Sequence, residues 1–307
     1  MWGFAPMYFK LLLHMPALEI LVHRIVWSIL ILSILVMALR QWHKIKAALS
    51  NPKLLGVLTA SGLLLAGNWF LFIWAANNDH LLDASLGYYI NPLLNVFLGR
   101  VFLSEKLRSL QQIAVLMAVV GVSILIVSFG QVPWIALVLA SSFGVYGLIR
   151  KTVPVDSMPG LLVESLLMLP FAIIYWVFYA SPASDLSQIS GYAIFLLVMA
   201  GAVTTAPLLC FTAAAKRIKY STLGFFQYIG PSIMFLLAVF LYGEPLDNER
   251  LITFGFVWAA LVLFSFDSFR HYKVESSAKK KHKIDATQTV KEGYTRNTSR
   301  CSTSASE

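Results

Sequence analysis

Nine apolar runs, each about as long as a bilayer is thick, occupy most of this 307-residue sequence. They lie near 18–39, 54–76, 84–103, 110–129, 133–149, 160–180, 191–214, 221–242 and 250–269. A helix needs about 20 mostly apolar residues to cross roughly 30 Å of hydrocarbon. The runs are rich in Leu, Ala and Gly without strict alternation, which excludes strands. Turn chemistry fills the short connections: Asn51-Pro52, Gly130 to Pro133, Pro154 to Pro159, Ser181-Pro182. The expected fold class is all-α and integral to a membrane. Composition agrees: 58% hydrophobic and 13% charged leaves too little charge to cover a water-facing surface. Soluble enzyme and DNA-binding protein are thereby excluded. Cys210 and Cys301 are too few for a disulfide framework or a metal cluster.

The basic residues set an orientation. With the loop after run 18–39 in the cytoplasm, 21 of the 24 Lys and Arg fall on the inner side. These include Arg40, Lys44, Lys46 and Lys53; Arg100, Lys106 and Arg108; Arg150 and Lys151; Lys216, Arg217 and Lys219. Lys10 and Arg250 remain outside, and Arg24 lies within a span. The outer loops are acidic, with Asp79, Asp83, Asp185, Glu244, Asp247 and Glu249. The C-terminus is expected in the cytoplasm and the chain in the plasma (inner) membrane. A net charge of +9 therefore reads as an insertion signal, with no nucleic-acid partner. Residues 271–307, with Lys279-Lys280-Lys281 and many Ser and Thr, read as a disordered basic cytoplasmic tail.

The sequence also repeats itself. At an offset of 139 residues, Tyr89-Ile90-Asn91-Pro92 meets Tyr228-Ile229-Gly230-Pro231, and Glu105 and Leu107 meet Glu244 and Leu246. Met15-Pro16 and Met158-Pro159 match at a slightly larger offset. Glu105 falls inside and Glu244 outside, so each repeat holds an odd number of helices. Five fits, giving two inverted five-helix halves, 1–130 and 131–270. Gly3 to Lys10 repeats the spacing of Gly144 to Lys151, but only two residues precede Gly3. The expectation is ten transmembrane helices, the first truncated because its true start lies upstream of Met1.

These stretches resemble the EamA-type transporters of the drug/metabolite transporter superfamily, most closely the RarD branch. The matching residues are Pro16 to Leu21, His23-Arg24, Trp27-Ser28, Asn68-Trp69, Phe72 to Ala75, and Ala84 to Leu93 through Glu105. In the second half they are Thr204 to Leu208 and Tyr228 to Pro231. The resemblance covers residues 1 to about 270. It implies a ten-helix inner-membrane permease from a branch named for a link to chloramphenicol sensitivity.

Ionisable groups inside spans are costly and usually functional. Glu19 and His23 are four apart on one helix face, with Arg24 about 100° around. Arg24 reads either as a substrate anchor or as a structural partner of Glu19; Glu19 and His23 are the candidates for proton coupling. Asn68, Trp69, Tyr88, Asn91, Asn95, Gln227 and Tyr228 are the other expected substrate contacts, at a midplane site between the third, fourth, eighth and ninth spans. The alternative for the amides is an interhelical bond from Asn68 to Asn91 or Asn95. Pro92, Pro207 and Pro231 each remove a mid-span N–H and are the candidate gating hinges. Glu164 is a lone intramembrane acid, read as a proton site or as the partner of a neighbouring base. Glu105 and Glu244 read as helix-end residues; the resemblance makes them part of the family pattern, with a packing or capping role rather than transport chemistry.

The functional expectation is a secondary active transporter of a small amphipathic metabolite or drug, working by alternating access and proton-coupled. No nucleotide-binding loop and no metal-ligand cluster occurs in the sequence, so no cofactor is expected. A second reading is an amino-acid exporter in which Arg24 and Asn91 hold the zwitterion. A third, from another class, is a membrane receptor or assembly protein without flux. An intramembrane enzyme finds no supporting motif, neither H-E-x-x-H nor G-x-S-x-G. The expected partners are the bilayer, a small-molecule substrate and, in a homodimer, a second copy.

Overall fold

The structure, a computed structural model, describes residues 1–4, 7–8, 11–12, 15–78, 80–128, 130–179, 190–241, 248–249 and 251–271. Lys10, Asp79, the Ser181-Pro182 turn, Asp185, Glu244, Leu246, Asp247, Arg250 and the tail beyond residue 271 lie outside these.

A 3-10 turn at Trp2–Phe4 precedes α1 (Ala17–Ala38), α2 (Trp42–Leu49), α3 (Pro52–Asn77), α4 (Leu81–Phe102), α5 (Ser109–Ser128) and α6 (Trp134–Thr152). There follow α7 (Ser157–Tyr179), α8 (Gly191–Arg217), α9 (Tyr220–Gln227), α10 (Ile229–Phe240) and α11 (Leu251–His271). The starts follow local chemistry. Asn51 caps α3 by accepting from Leu54 N at 3.2 Å, with Pro52 at the first helical position. Ser190 caps α8 in the same way, accepting from Ala193 N at 3.2 Å. The chain is an all-α membrane protein.

Among the described residues, seven of the nine apolar runs form helices long and apolar enough to cross a membrane: α1, α3, α5, α6, α7, α8 and α11. The other two are also helical but differ from the expectation. α4 has 22 residues, yet Asn91, Asn95 and Arg100 dilute its apolar character. Run 221–242 is split at Tyr228 into α9 and α10. Pro231 has no N–H for the Gln227 carbonyl four residues back, which explains a break at this point. Pro92 leaves the Tyr88 carbonyl free in the same way, but α4 runs through it unbroken. α2, a short helix burying Ile45 and Ala48, was not anticipated from the sequence.

The connections expected on the inner side meet at one end of the bundle. Lys44 pairs with Asp156, Arg108 Nε lies 2.6 Å from Asp267 Oδ2, and Lys151 Nζ lies 4.0 Å from Glu105 Oε1. Lys151 also donates to Ala215 O and Ile218 O, and Lys216 to Val153 O and Val155 O. The α1–α3, α4–α5, α6–α7 and α8–α9 connections and the end of α11 thus share one end.

Within the bundle α1 packs on α7 and α8, α3 on α6 and α7, and α4 on α6 and α9. The Trp2–Phe4 turn packs on α10. Close approaches recur at small residues. A Cβ on Gly3 would lie 2.6 Å from Ile233, and one on Gly144 3.1 Å from Leu94. A Cβ on Gly201 would meet Trp27 at 2.6 Å, and one on Gly62 would meet Met168 at 3.4 Å.

Candidate functional site

Four helical stripes meet around a cavity of about 50 Å³. α1 contributes Leu21, Arg24, Ile25 and Ser28, and α7 contributes Leu161, Glu164, Ser165 and Met168, both at the i, i+3, i+4, i+7 spacing of one helix face. α3 supplies Gly62, Leu65 and Ala66, and α8 supplies Thr204, Thr205 and Leu208. The lining is apolar apart from one guanidinium, one carboxylate and four hydroxyls.

Arg24 is 8% exposed, and its Cζ lies 3.8 Å from the centroid of the Trp69 ring. Among the described residues it has no acid within ion-pair distance. The expected structural alternative, a Glu19–Arg24 pair, is therefore replaced by stacking on an aromatic face. Glu19 and His23 are both buried; His23 packs edge-on against Trp176 at 4.9 Å, away from the cavity lining. Glu164 is 2% exposed and accepts from Ser61 Oγ at 2.6 Å and from Tyr146 OH at 3.4 Å. Arg150 Nη1 lies 3.5 Å from its Oε1. The lone acid of the sequence thus has a basic partner on the preceding helix.

The amides go elsewhere. Asn68 donates to Leu139 O and Ser142 Oγ, both at 2.8 Å on α6. Asn91 donates to Gln227 Oε1 at 3.1 Å, and Asn95 donates to the same oxygen. The expected Asn68 bond to Asn91 or Asn95 is thus replaced by bonds across α3–α6 and α4–α9. The Oδ1 atoms of Asn91 and Asn95 are buried without a hydrogen-bond partner among the described residues. Tyr228 is fully buried, its OH donating to Tyr89 O at 3.2 Å. Tyr88 continues an aromatic row from Trp69 through Phe72, with centroids 6.2 and 6.0 Å apart.

The expected site therefore separates into two parts. Arg24 lines the cavity between α1, α3, α7 and α8, with Trp69 stacked on its guanidinium outside the lining. Asn91, Asn95 and Gln227 form an amide cluster between α4 and α9, and Asn91 does not line the Arg24 cavity. The sequence reading grouped both parts in one midplane site because amides are conspicuous in apolar runs; α3 and α8, two of its expected walls, do line the Arg24 cavity. Ser28, Thr204 and Thr205 were not assigned, since hydroxyls in helices usually bond their own backbone. Thr204 does so, donating to Ala200 O at 2.7 Å, whereas Thr205 donates to Ser28 Oγ at 2.7 Å across to α1. Among the three prolines, Pro92 lies under α9: a Cβ on Gly224 would lie 2.7 Å from its carbonyl oxygen. Pro207 is buried inside α8 and Pro231 opens α10.

Glu105 performs the helix-end role. α4 closes with Ser104 in the left-handed region (φ 51°) and Glu105 N donating to Gly99 O at 3.0 Å. That turn directs the carboxylate onto the start of α9, where it accepts from Tyr220 N at 2.6 Å, Ser221 N at 2.9 Å and Ser221 Oγ at 2.7 Å.

The sequence pattern of the EamA-like transporter family matches residues 1–127. A Vibrio cholerae protein described as an uncharacterized transporter is 54% identical over 271 residues, 88% of this chain and 90% of that protein. Protein RarD of Salmonella typhimurium is 52% identical over 268 residues, 87% of this chain and 91% of the relative. A solved structure described only as "Crystal structure of protein" matches with a TM-score of 0.66 at 16% identity, over 86% of this chain and 93% of that chain, a likeness of fold alone.

Proposed function

The chain belongs to the EamA-like transporter family, with RarD proteins among its relatives, and we propose that it is a secondary active transporter of a small amphipathic solute bearing an anionic group. A multi-pass membrane transporter is what family and fold support; the solute, drive and cycle are our reading. One observation carries the solute class: a buried guanidinium stacked on Trp69 faces a cavity and has no acidic partner among the described residues. Burying a cation is costly unless something pairs with it. A carboxylate on a solute with an aromatic or apolar body would pair with Arg24, its body lying against the apolar lining of the same cavity.

Paired contacts support alternating access between two inverted halves. At offsets of 139 to 141 residues, the Gly3–Ile233 approach becomes Leu94–Gly144, and Gly62–Met168 becomes Gly201–Trp27. A site on a two-fold axis between such halves can open to either side in turn. At about 50 Å³ the cavity is well below the roughly 300–1,000 Å³ of a small-molecule site, so we read loading of a solute as a parting of the α1/α7 and α3/α8 walls. We place the carrier in the plasma (inner) membrane, C-terminus inside, with a proton gradient as the drive. The amino-acid reading keeps Arg24 for the carboxylate but loses Asn91 as its partner.

The test is flux into proteoliposomes of a panel of aromatic carboxylates, amino acids and neutral aromatic drugs. Arg24→Gln should abolish carboxylate flux while the purified variant keeps a wild-type elution profile and helical content. Undiminished carboxylate flux in that variant, or transport restricted to neutral drugs, would reject the proposed solute class.

A further inference from the structure

The two charged groups of the cavity lie on facing helices, at the same step of their lining stripes. Arg24 and Glu164 are the second members of stripes with identical spacing, 140 residues apart, on the mutually packed α1 and α7. We propose that Glu164 is a proton-binding site opening on the cavity. The inference rests on the carrier reading above and supplies the residue through which a proton gradient would act.

The surroundings of Glu164 suit a group that changes charge. Its short bond is to a hydroxyl, Ser61 Oγ at 2.6 Å, while the guanidinium of Arg150 stands back at 3.5 Å. A serine hydroxyl donates to a carboxylate and, turned, accepts from a carboxylic acid, so both forms can be held without moving α3. Tyr146 OH offers the same exchange on the second oxygen. Arg150 cannot share the charge change, because a guanidinium stays protonated. Its Nη2 donates to Ser157 O at 2.9 Å, and among the described residues its Nε and Nη1 have no hydrogen-bond partner, so the ion pair is not closed around the carboxylate.

The titratable and charged groups facing Glu164 come from each neighbouring helix in turn: Arg24 from α1, across the cavity, and Tyr146 and Arg150 from α6. α3 offers Ser61, and α8 lines the cavity with Thr204 and Thr205. α2 packs Ile45 and Ala48 into the apolar cluster it shares with α7, and its Lys44 reaches Asp156 beyond the span. In the step itself, a hydronium ion entering the cavity transfers its proton to a Glu164 oxygen; one O–H bond forms, water is left, and Arg150 remains a cation. The lining then gains one positive charge, so an anion beside Arg24 is held more tightly when the proton is aboard.

The test needs no solute. Infrared difference spectra of the reconstituted full chain, titrated from about pH 4 to about pH 9, report buried carboxylic acids by their carbonyl band. A pH-dependent acid band is expected in the wild type. It should be lost in Glu164→Gln and displaced in frequency in Ser61→Ala and Tyr146→Phe, which keep the acid and guard against misfolding of the first variant. Asp156→Asn should leave it untouched. A wild type without such a band, or a band unaffected by all three cavity variants, overturns the proposal. Either outcome leaves the carrier reading standing, whereas failed flux with an intact band would reject the solute class alone.

Discussion

The guanidinium carbon of Arg24 lies 3.8 Å from the ring centroid of Trp69, so two helices are joined by a cation lying on an aromatic face. Removing the face should matter for stability as well as for binding. Trp69→Leu is expected to lower the unfolding free energy of the detergent-solubilised protein by about 1–2 kcal/mol, with Trp69→Phe intermediate. Equal melting profiles for the three proteins would show that the stack contributes nothing.

Glu105 satisfies two backbone N–H groups at the start of α9 that have no partner inside the helix. Glu105→Ala should cost about 2–3 kcal/mol, more than an ordinary cap, because the bonds are charge-assisted. Glu105→Gln should lose less. Thermal unfolding followed by circular dichroism ranks the two.

Gly160 and Gly67 make a matched pair. A Cβ on Gly160 would lie 2.1 Å from Arg150 Nη1, whereas one on Gly67 meets nothing within 4 Å. Gly160→Ala should therefore destabilise by about 1–3 kcal/mol by pushing the buried guanidinium aside. Gly67→Ala should stabilise by about 0.5–1 kcal/mol, since alanine loses less backbone entropy in a helix. A common sign for both changes in a stability assay would contradict this packing.

Outside the spans, Lys44 beside Asp156 holds the Asp156 carboxyl below the usual carboxylate range, with Lys216 adding to the effect. Because the folded-state pKa lies below the unfolded one, the pair stabilises the protein above the ordinary carboxylate range. That contribution fades as pH falls through the lowered value. The pair is solvent-exposed, so Asp156→Asn should change stability by no more than about 1 kcal/mol at neutral pH. Stability of the two proteins compared at neutral and acidic pH should converge on acidification.

Ser50→Cys, Lys106→Cys and Lys219→Cys, each in a Cys210→Ala, Cys301→Ser background, should all react with an impermeant maleimide from the same face of the membrane. The loops they report meet at one end of the bundle. Glu244→Cys should react from the opposite face if the halves are inverted. Labelling of Lys106→Cys and Glu244→Cys from one side would end the inverted-repeat reading.

The helices themselves were legible because the bilayer sets a length and forbids unpaired backbone, so run length and apolarity suffice to find them. The basic residues likewise announced which loops lie together, and Lys44, Lys151 and Lys216 do meet at one end. The offset matches at Gly3 and Gly144, and at Tyr89 and Tyr228, could be read from the letters alone. Partnership could not. Which helix Asn68 bonds, which acid Arg24 lacks, and that Arg150 reaches Glu164 rather than the interface depend on rotations of helices about their axes. A helix's rotation is fixed by side-chain packing between segments remote in sequence, through close approaches such as Gly160 under Arg150 and Gly201 against Trp27. The sequence alone therefore determined that this chain is a bundle of membrane-spanning helices with basic loops on one face. Only the tertiary structure decided that its charged cavity lies between α1, α3, α7 and α8, because hydropathy constrains where a residue sits along the membrane normal and not which neighbour it faces.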